Sequence, residues 1–290
     1  MSETVLGIIG GSGIYSIEGL ENAEWQTVDT PWGAPSDQLL TGSLNGLRMV
    51  FLPRHGRGHT HSPTSLPYRA NIHALKSLNV TDLISVSACG SFREEMKPGD
   101  FVIVDQFIDR TFGREKSFFG AGCVAHVSVA HPTCPRLGQA CFEAVQKVGV
   151  NVHSGGTYLV MEGPQFSTLA ESKLYREQWG CDVIGMTNMP EAKLAREAEI
   201  CYATVAMVTD YDSWHPDHGE VDVSEIIATL MGNAAKAREM VSLLSQIIPV
   251  ERTLCPHGCD RALENAVITA PEARDPAMVA KLKTIAGRVL

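Results

Sequence analysis

The 290-residue sequence reads as a single α/β domain, and three observations lead there. Short apolar runs rich in Val and Ile alternate with longer amphipathic stretches, the pattern of strands and helices around a largely buried sheet. No Gly/Ser/Pro-rich linker, internal repeat or low-complexity segment interrupts the body. Several apolar runs end abruptly in small or polar residues, as strands do where an open α/β sheet receives a ligand.

In chain order, residues 5–9 (Val-Leu-Gly-Ile-Ile) and 47–52 (Leu-Arg-Met-Val-Phe-Leu) have strand length and strand composition. Residues 68–78 form the first amphipathic helix, before the strands 82–88 and 101–104. A second helix, 135–148, opens on Pro135, where a first helical turn tolerates proline. Strand 157–161, helix 168–179 and strand 182–186 follow. Helix 190–198 opens on Pro190, and Glu191 adds the charge that this end prefers. Strand 203–208 and a long helix, 224–248, complete the body. We take 1–250 as the domain and 251–290 as a C-terminal extension packed on it, with 271–290 as a terminal helix. A chain of this length buries about three-quarters of its unfolded surface.

Charge narrows the partners. With 24 Lys+Arg against 33 Asp+Glu the net charge is −9, which disfavours nucleic acid and anionic membranes. No stretch of about 18 apolar residues offers a spanning helix. The start, Met-Ser-Glu-Thr, lacks the basic-then-apolar build of a secretory signal, so the expected location is the cytoplasm. The eight cysteines, mostly within apolar runs, read as buried small hydrophobes rather than a disulfide framework. Cys255 and Cys259 have no second ligand pair in sequence, so no metal is expected.

Five strand ends suggest one composite pocket. Gly10-Gly11-Ser12-Gly13 lets backbone N–H groups approach an anion, although a plain tight turn fits equally well. It lacks the third glycine of a dinucleotide fingerprint and the Gly-Lys-Ser/Thr ending of a nucleotide-triphosphate loop. Arg54-His55-Gly56-Arg57-Gly58-His59-Thr60-His61 is the densest cationic stretch, and Arg54 offers a planar fork suited to phosphate. A metal at His55, His59 and His61 lacks a partner carboxylate at ligand spacing; a merely solvated loop stays open. Asp210 and Asp212 lie two apart on an extended chain and so point to one side. Close, buried carboxyls raise one another's proton affinity; two exposed turn aspartates are the alternative. Phe166, after Glu162-Gly163-Pro164, is available to stack on a flat base or to fill core. Ser87-Ala88-Cys89-Gly90-Ser91 and Met186-Thr187-Asn188 complete the set.

In order and spacing these residues resemble the 5′-methylthioadenosine phosphorylase branch of the trimeric purine nucleoside phosphorylase family. The likeness runs from Gly7 to about Ile248. Besides the strand ends it includes Asp29-Thr30-Pro31-Trp32-Gly33, Asp105-Gln106-Phe107-Ile108-Asp109-Arg110-Thr111 and Glu162-Gly163-Pro164. The resemblance implies a nucleoside-phosphorylase-like fold, with a central mixed β-sheet flanked by helices. It implies that Ser12, Arg54, His55, Ser87, Ala88 and Thr187 hold inorganic phosphate as co-substrate. It places Phe166, Met186, Asp210, Tyr211 and Asp212 around a purine nucleoside, with Asp210 as the catalytic acid. Ser167 and Val223 would tune specificity, and His126 would reach a neighbour's pocket in a homotrimer. Two carboxyl groups suit the donating amine of adenine, and apolar Val223 suits a 5′-methylthio group. The implied reaction is phosphorolysis of 5′-methylthioadenosine, without metal or organic cofactor. The alternatives are 5′-methylthioinosine or ordinary purine nucleosides as substrates, and a non-catalytic nucleoside sensor. A nicotinamide dehydrogenase is disfavoured by the missing fingerprint.

Overall fold

A computed structural model describes residues 3–11, 13–216 and 223–290, with the side chains of Val223 and Glu225 outside that description. The strands are β1 (Val5–Gly10), β2 (Glu21–Gln26), β3 (Leu39–Leu44), β4 (Leu47–Pro53), β5 (Asp82–Ser91), β6 (Phe101–Val104), β7 (Gln106–Asp109), β8 (Val152–Ser154), β9 (Thr157–Val160), β10 (Val183–Gly185) and β11 (Cys201–Asp210). The helices are α1 (Tyr68–Ser77), α2 (Pro135–Val148), α3 (Leu169–Lys173), α4 (Asn188–Glu197), α5 (Val223–Ile247) and α6 (Pro276–Ala286).

All eleven strands join one mixed sheet. Its core strands are apolar on both faces because alternate side chains enter opposite layers. Ile9, Leu52, Ala206 and Val208 pack with α1, α4 and α6, whereas Ile8, Phe51, Val205 and Met207 pack with α2 and α5. The result is helix, sheet, helix, as the alternation of runs implied. Residues beyond 250 contribute to both layers, through Leu263, Leu282 and Ile285 on one side and Cys255 and Cys259 on the other.

Several elements differ from the sequence reading. β3 and β4 form a hairpin through Asn45 and Gly46, both at positive φ (51° and 79°), as a tight primed turn requires. The segment expected as helix 168–179 is α3 followed by one π-helical turn, Leu174–Gln178; the Thr168–Glu171 capping box sets its start. The terminal helix is confined to Pro276–Ala286, with Asp275 capping it. One inference is corrected outright: Cys255 and Cys259 do have a second pair. Cys134, Cys201, Cys255 and Cys259 are all buried, with their sulfurs within 4.8 Å of one another.

Candidate active site

β1, β4, β5 and β11 run parallel, so their C-terminal ends meet at one edge of the fold. β11 follows one side of β5 throughout, while pairing with β1 on the other side stops at Gly10–Val86. There β10 rejoins β5 only at Gly90 and Ser91. Ser87, Ala88 and Cys89 therefore have no ladder partner on that side among the described residues, and a cavity of about 320 Å³ opens beside them. Residues of all five polar strand ends line it: Gly11, Arg54 and His55, Ser87 to Gly90, Met186 and Thr187, and Asp210 with Asp212.

At one end Arg54 borders the cavity, and most of its N–H groups already have partners within the protein. Nε and Nη2 donate to the Glu191 carboxylate at 3.0 and 3.3 Å, and Nη1 donates to the Val86 carbonyl at 3.0 Å. Nη2 also reaches Ser85 Oγ at 2.6 Å. Burial works against the cation, but the Glu191 charge outweighs it and raises the Arg54 pKa. The bidentate fork expected for phosphate thus serves an internal carboxylate. His55 Nδ1 lies 2.9 Å from the His61 carbonyl, which only accepts, so Nδ1 carries the proton and Nε2 is left as an acceptor. Burial pushes its pKa down to about 4, with Arg54 adding to the shift and the His61 carbonyl opposing it; the ring is neutral at neutral pH. Beneath them Asn188 accepts from Ser87 Oγ at 3.2 Å and faces Thr204 Oγ1 at 2.9 Å and Tyr202 Oη at 3.0 Å. This buried network fixes the rim of the cavity.

At the other end a bulge between Val208 and Asp210 re-aims the last residues of β11. Thr209 Oγ1 donates to Asp210 Oδ2 at 2.7 Å, and the Asp212 amide donates to Asp210 Oδ1 at 2.8 Å. Burial raises the pKa of Asp210 against those two bonds. Burial likewise raises that of Asp212, opposed by the nearby Ser172 and Ser167 hydroxyls and supported by Asp210. Asp212 Oδ2 is buried with no hydrogen-bond partner among the described residues, which favours its protonated form. Gly90 is required here, because a Cβ would fall 2.8 Å from Asp210 Oδ1. Phe166, 43% exposed, stands over the opening. Arg114, anchored by Glu162 at 3.1 Å, donates to the Met186 and Met189 carbonyls at 2.6 Å and holds the Met186 segment in place. The remaining wall is apolar and comes in part from Ile226, Leu230 and Ala234 of α5.

Tyr211 is not among the residues that line this cavity. β11 ends at Asp210 and Asp212 lies in the turn beyond it at φ 50°, yet both carboxyl groups line the cavity, while the Tyr211 hydroxyl donates to the Glu94 carbonyl at 3.2 Å. Ser167 is not among the lining residues, and its carbonyl accepts from Ser213 Oγ at 2.9 Å. His126 does not line this cavity; its amide donates to the Ala266 carbonyl at 2.9 Å. Ser12 and the Val223 side chain lie outside the described residues. Sequence reasoning placed Asn188 at a strand end and Glu191 at a helix start, but gave no signal that Asn188 would anchor Ser87 or that Glu191 would pair with Arg54. It also missed Ile226, Leu230 and Ala234, whose four-residue spacing on one helix face was legible.

A polar end, a buried acid pair and an apolar wall thus meet in one cavity at the sheet's edge. The sequence matches the family described as the Phosphorylase superfamily over residues 5–246, and the chain belongs to it. It is 72% identical to S-methyl-5′-thioadenosine phosphorylase of Cereibacter sphaeroides, covering 99% of both chains. It is 60% identical to that of Rhodospirillum rubrum, covering 99% of this chain and 98% of the relative. A methylthioadenosine phosphorylase structure from an Antarctic soil metagenomic library superposes with a TM-score of 0.92 at 45% identity, covering 98% of this chain and 99% of that one. Methylthioadenosine phosphorylase from Schistosoma mansoni in complex with adenine gives 0.86 at 34% identity, covering 91% and 99%.

Proposed function

We propose that the cavity carries out phosphorolysis of 5′-methylthioadenosine to adenine and 5-methylthioribose 1-phosphate. One observation carries the reading: Asp210 and Asp212 line the same cavity as Ser87, Ala88, Thr187 and His55. Along β5, Ser87 and Gly90 are separated by roughly 10 Å of strand, a span that a purine with its ribose covers. The substrate named for the relatives fits that span, and an S. mansoni relative has been crystallised with methylthioadenosine.

In this reading phosphate lies at the Ser87–Thr187 end, with Ser12, His55 and the Ala88 backbone around it. The neutral His55 accepts from a protonated phosphate oxygen, and Arg54 acts chiefly by holding the loop against Glu191. A phosphate oxygen attacks the anomeric carbon as the bond to the base nitrogen breaks, through an oxocarbenium-like state. Asp210 donates its proton to the imidazole-ring nitrogen of the departing adenine, so the base leaves neutral. Asp212 takes the exocyclic amine, Phe166 stacks on the base and Met186 lies under the ribose. The apolar wall of α5 receives the methylthio group. These side chains supply the positioned nucleophile and the acid that the chemistry asks for, with no metal or organic cofactor.

The same reading makes the protein a cytoplasmic homotrimer in which His126 completes a neighbour's pocket. Phe112, Val124 and Val129, exposed large hydrophobics in the 110–130 segment, support an interface there. No described helix is long and apolar enough to cross a membrane. The test is product analysis with 5′-methylthioadenosine, 5′-methylthioinosine and adenosine, each with and without phosphate. Adenine from the first, only with phosphate, is the expected result. Hypoxanthine from the second alone overturns the base assignment, and release without phosphate overturns phosphorolysis.

A further inference from the structure

The four cysteines brought together by the fold lie well away from the cavity. Cys201 opens β11 and Asp210 closes it, roughly 30 Å apart at about 3.3 Å per residue. Cys134 is the residue that precedes α2 as its N-cap. Cys255 and Cys259 flank a turn in which Gly258, at φ 68°, donates its amide to the Cys255 carbonyl at 3.0 Å. All four side chains are buried and none is in a disulfide. The Cys134 and Cys255 sulfurs are 3.6 Å apart, far beyond a sulfur–sulfur bond.

We infer that these four sulfurs form a tetrathiolate site for one zinc ion, which ties the C-terminal segment to the start of α2 and the start of β11. Four thiolates around zinc at about 2.3 Å stand about 3.8 Å from one another, and the four sulfurs here lie within 4.8 Å of one another. Two features favour thiolate rather than thiol. The first-turn amides of α2 stabilise negative charge at Cys134. Arg136 Nε is buried without a hydrogen-bond partner among the described residues, and its guanidinium lies against the Cys201 sulfur. Donors of this kind surround metal-bound sulfur. Tetrahedral sulfur ligation suits zinc or iron; the reaction proposed for the cavity moves no electrons, and zinc is the redox-silent choice. Binding displaces the four thiol protons to solvent and leaves no open coordination position, so the site is structural rather than catalytic. It replaces the expectation that this chain holds no metal, and it stands whatever nucleoside the cavity takes.

The test is metal analysis and native mass spectrometry of the full-length protein, purified under reducing conditions without chelator. One zinc per chain is expected, released as an organomercurial captures the four thiolates. Cobalt exchanged into the site should show the intense thiolate-to-metal bands of tetrahedral sulfur ligation. The double variant Cys255→Ser/Cys259→Ser should lose the zinc; if it fails to fold, the cobalt spectrum of the wild type decides alone. Four free thiols without metal, two disulfides, stoichiometric iron, or zinc retained by the double variant would each overturn the assignment.

Discussion

The fold treats its buried carboxyl groups in opposite ways: Asp210 and Asp212 line the cavity, while Glu191 is paired with Arg54. Glu191, 1% exposed, faces the Arg54 guanidinium and also accepts from Tyr202 Oη at 2.9 Å. Asp210 and Asp212 meet hydroxyls and an amide, and no cation contributes to the shift of either. The lesson lies in what each arrangement permits. A buried anion with its own cation stays charged and holds neighbouring elements in register. A buried carboxyl without one keeps its proton to higher pH and has it available for transfer.

Arg54→Ala breaks the compensated side of this comparison and should have the largest effect. It strands the Glu191 charge and should cost about 3–5 kcal/mol in urea denaturation. Combining Arg54→Met with Glu191→Leu should recover most of that loss. A cost below about 1 kcal/mol for the single change would mean that the pair is not a buried ion pair.

Asp210→Asn attacks the uncompensated side. It should lower kcat/KM for 5′-methylthioadenosine by about 10²–10⁴-fold, with the urea midpoint unchanged. Because the folded pKa of Asp210 is raised, wild-type activity should fall as pH rises through it. The variant should lack that limb, and an unchanged profile would refute the acid assignment.

Glu197 sharpens the comparison away from the cavity. It too is buried without a cation, accepting from Ser117 Oγ and the Phe118 amide at 2.7 Å, and burial raises its pKa from the ordinary 4.5 to about 7. Its folded pKa exceeds the unfolded one, so its stabilisation is complete below about pH 4.5 and is lost as pH rises through about 7. The loss should total roughly 3 kcal/mol. Glu197→Gln should flatten the decline in stability between about pH 5 and 8, measured as denaturation midpoints. The smallest effect belongs to Ser87→Ala, one hydrogen bond at the phosphate end. It should raise the KM for phosphate about 3–10-fold, the equivalent of about 1 kcal/mol, with kcat nearly unchanged.

Much of the fold was legible because the core strands carry apolar residues in short runs between helices. What escaped had physical reasons. β2 is largely exposed and polar, so no alternation marks it. β8 has three residues, too few for a pattern. The β3–β4 hairpin did have a signal in Asn45-Gly46, and that signal went unused. In the site, Asp210 and Asp212 were legible as two carboxyl residues at the end of an apolar strand, but what brings both into the cavity is a turn, with Asp212 at φ 50° beyond the end of β11.

Local chemistry along the chain therefore settled which strands end in polar residues and in what order. The tertiary structure alone decided how the buried charges and sulfurs are matched. Glu191 meets Arg54 across 137 positions of sequence, and four cysteines from three separate stretches converge on one point. Such matches depend on the register and crossing of distant strands and helices, which no periodicity within a single segment encodes.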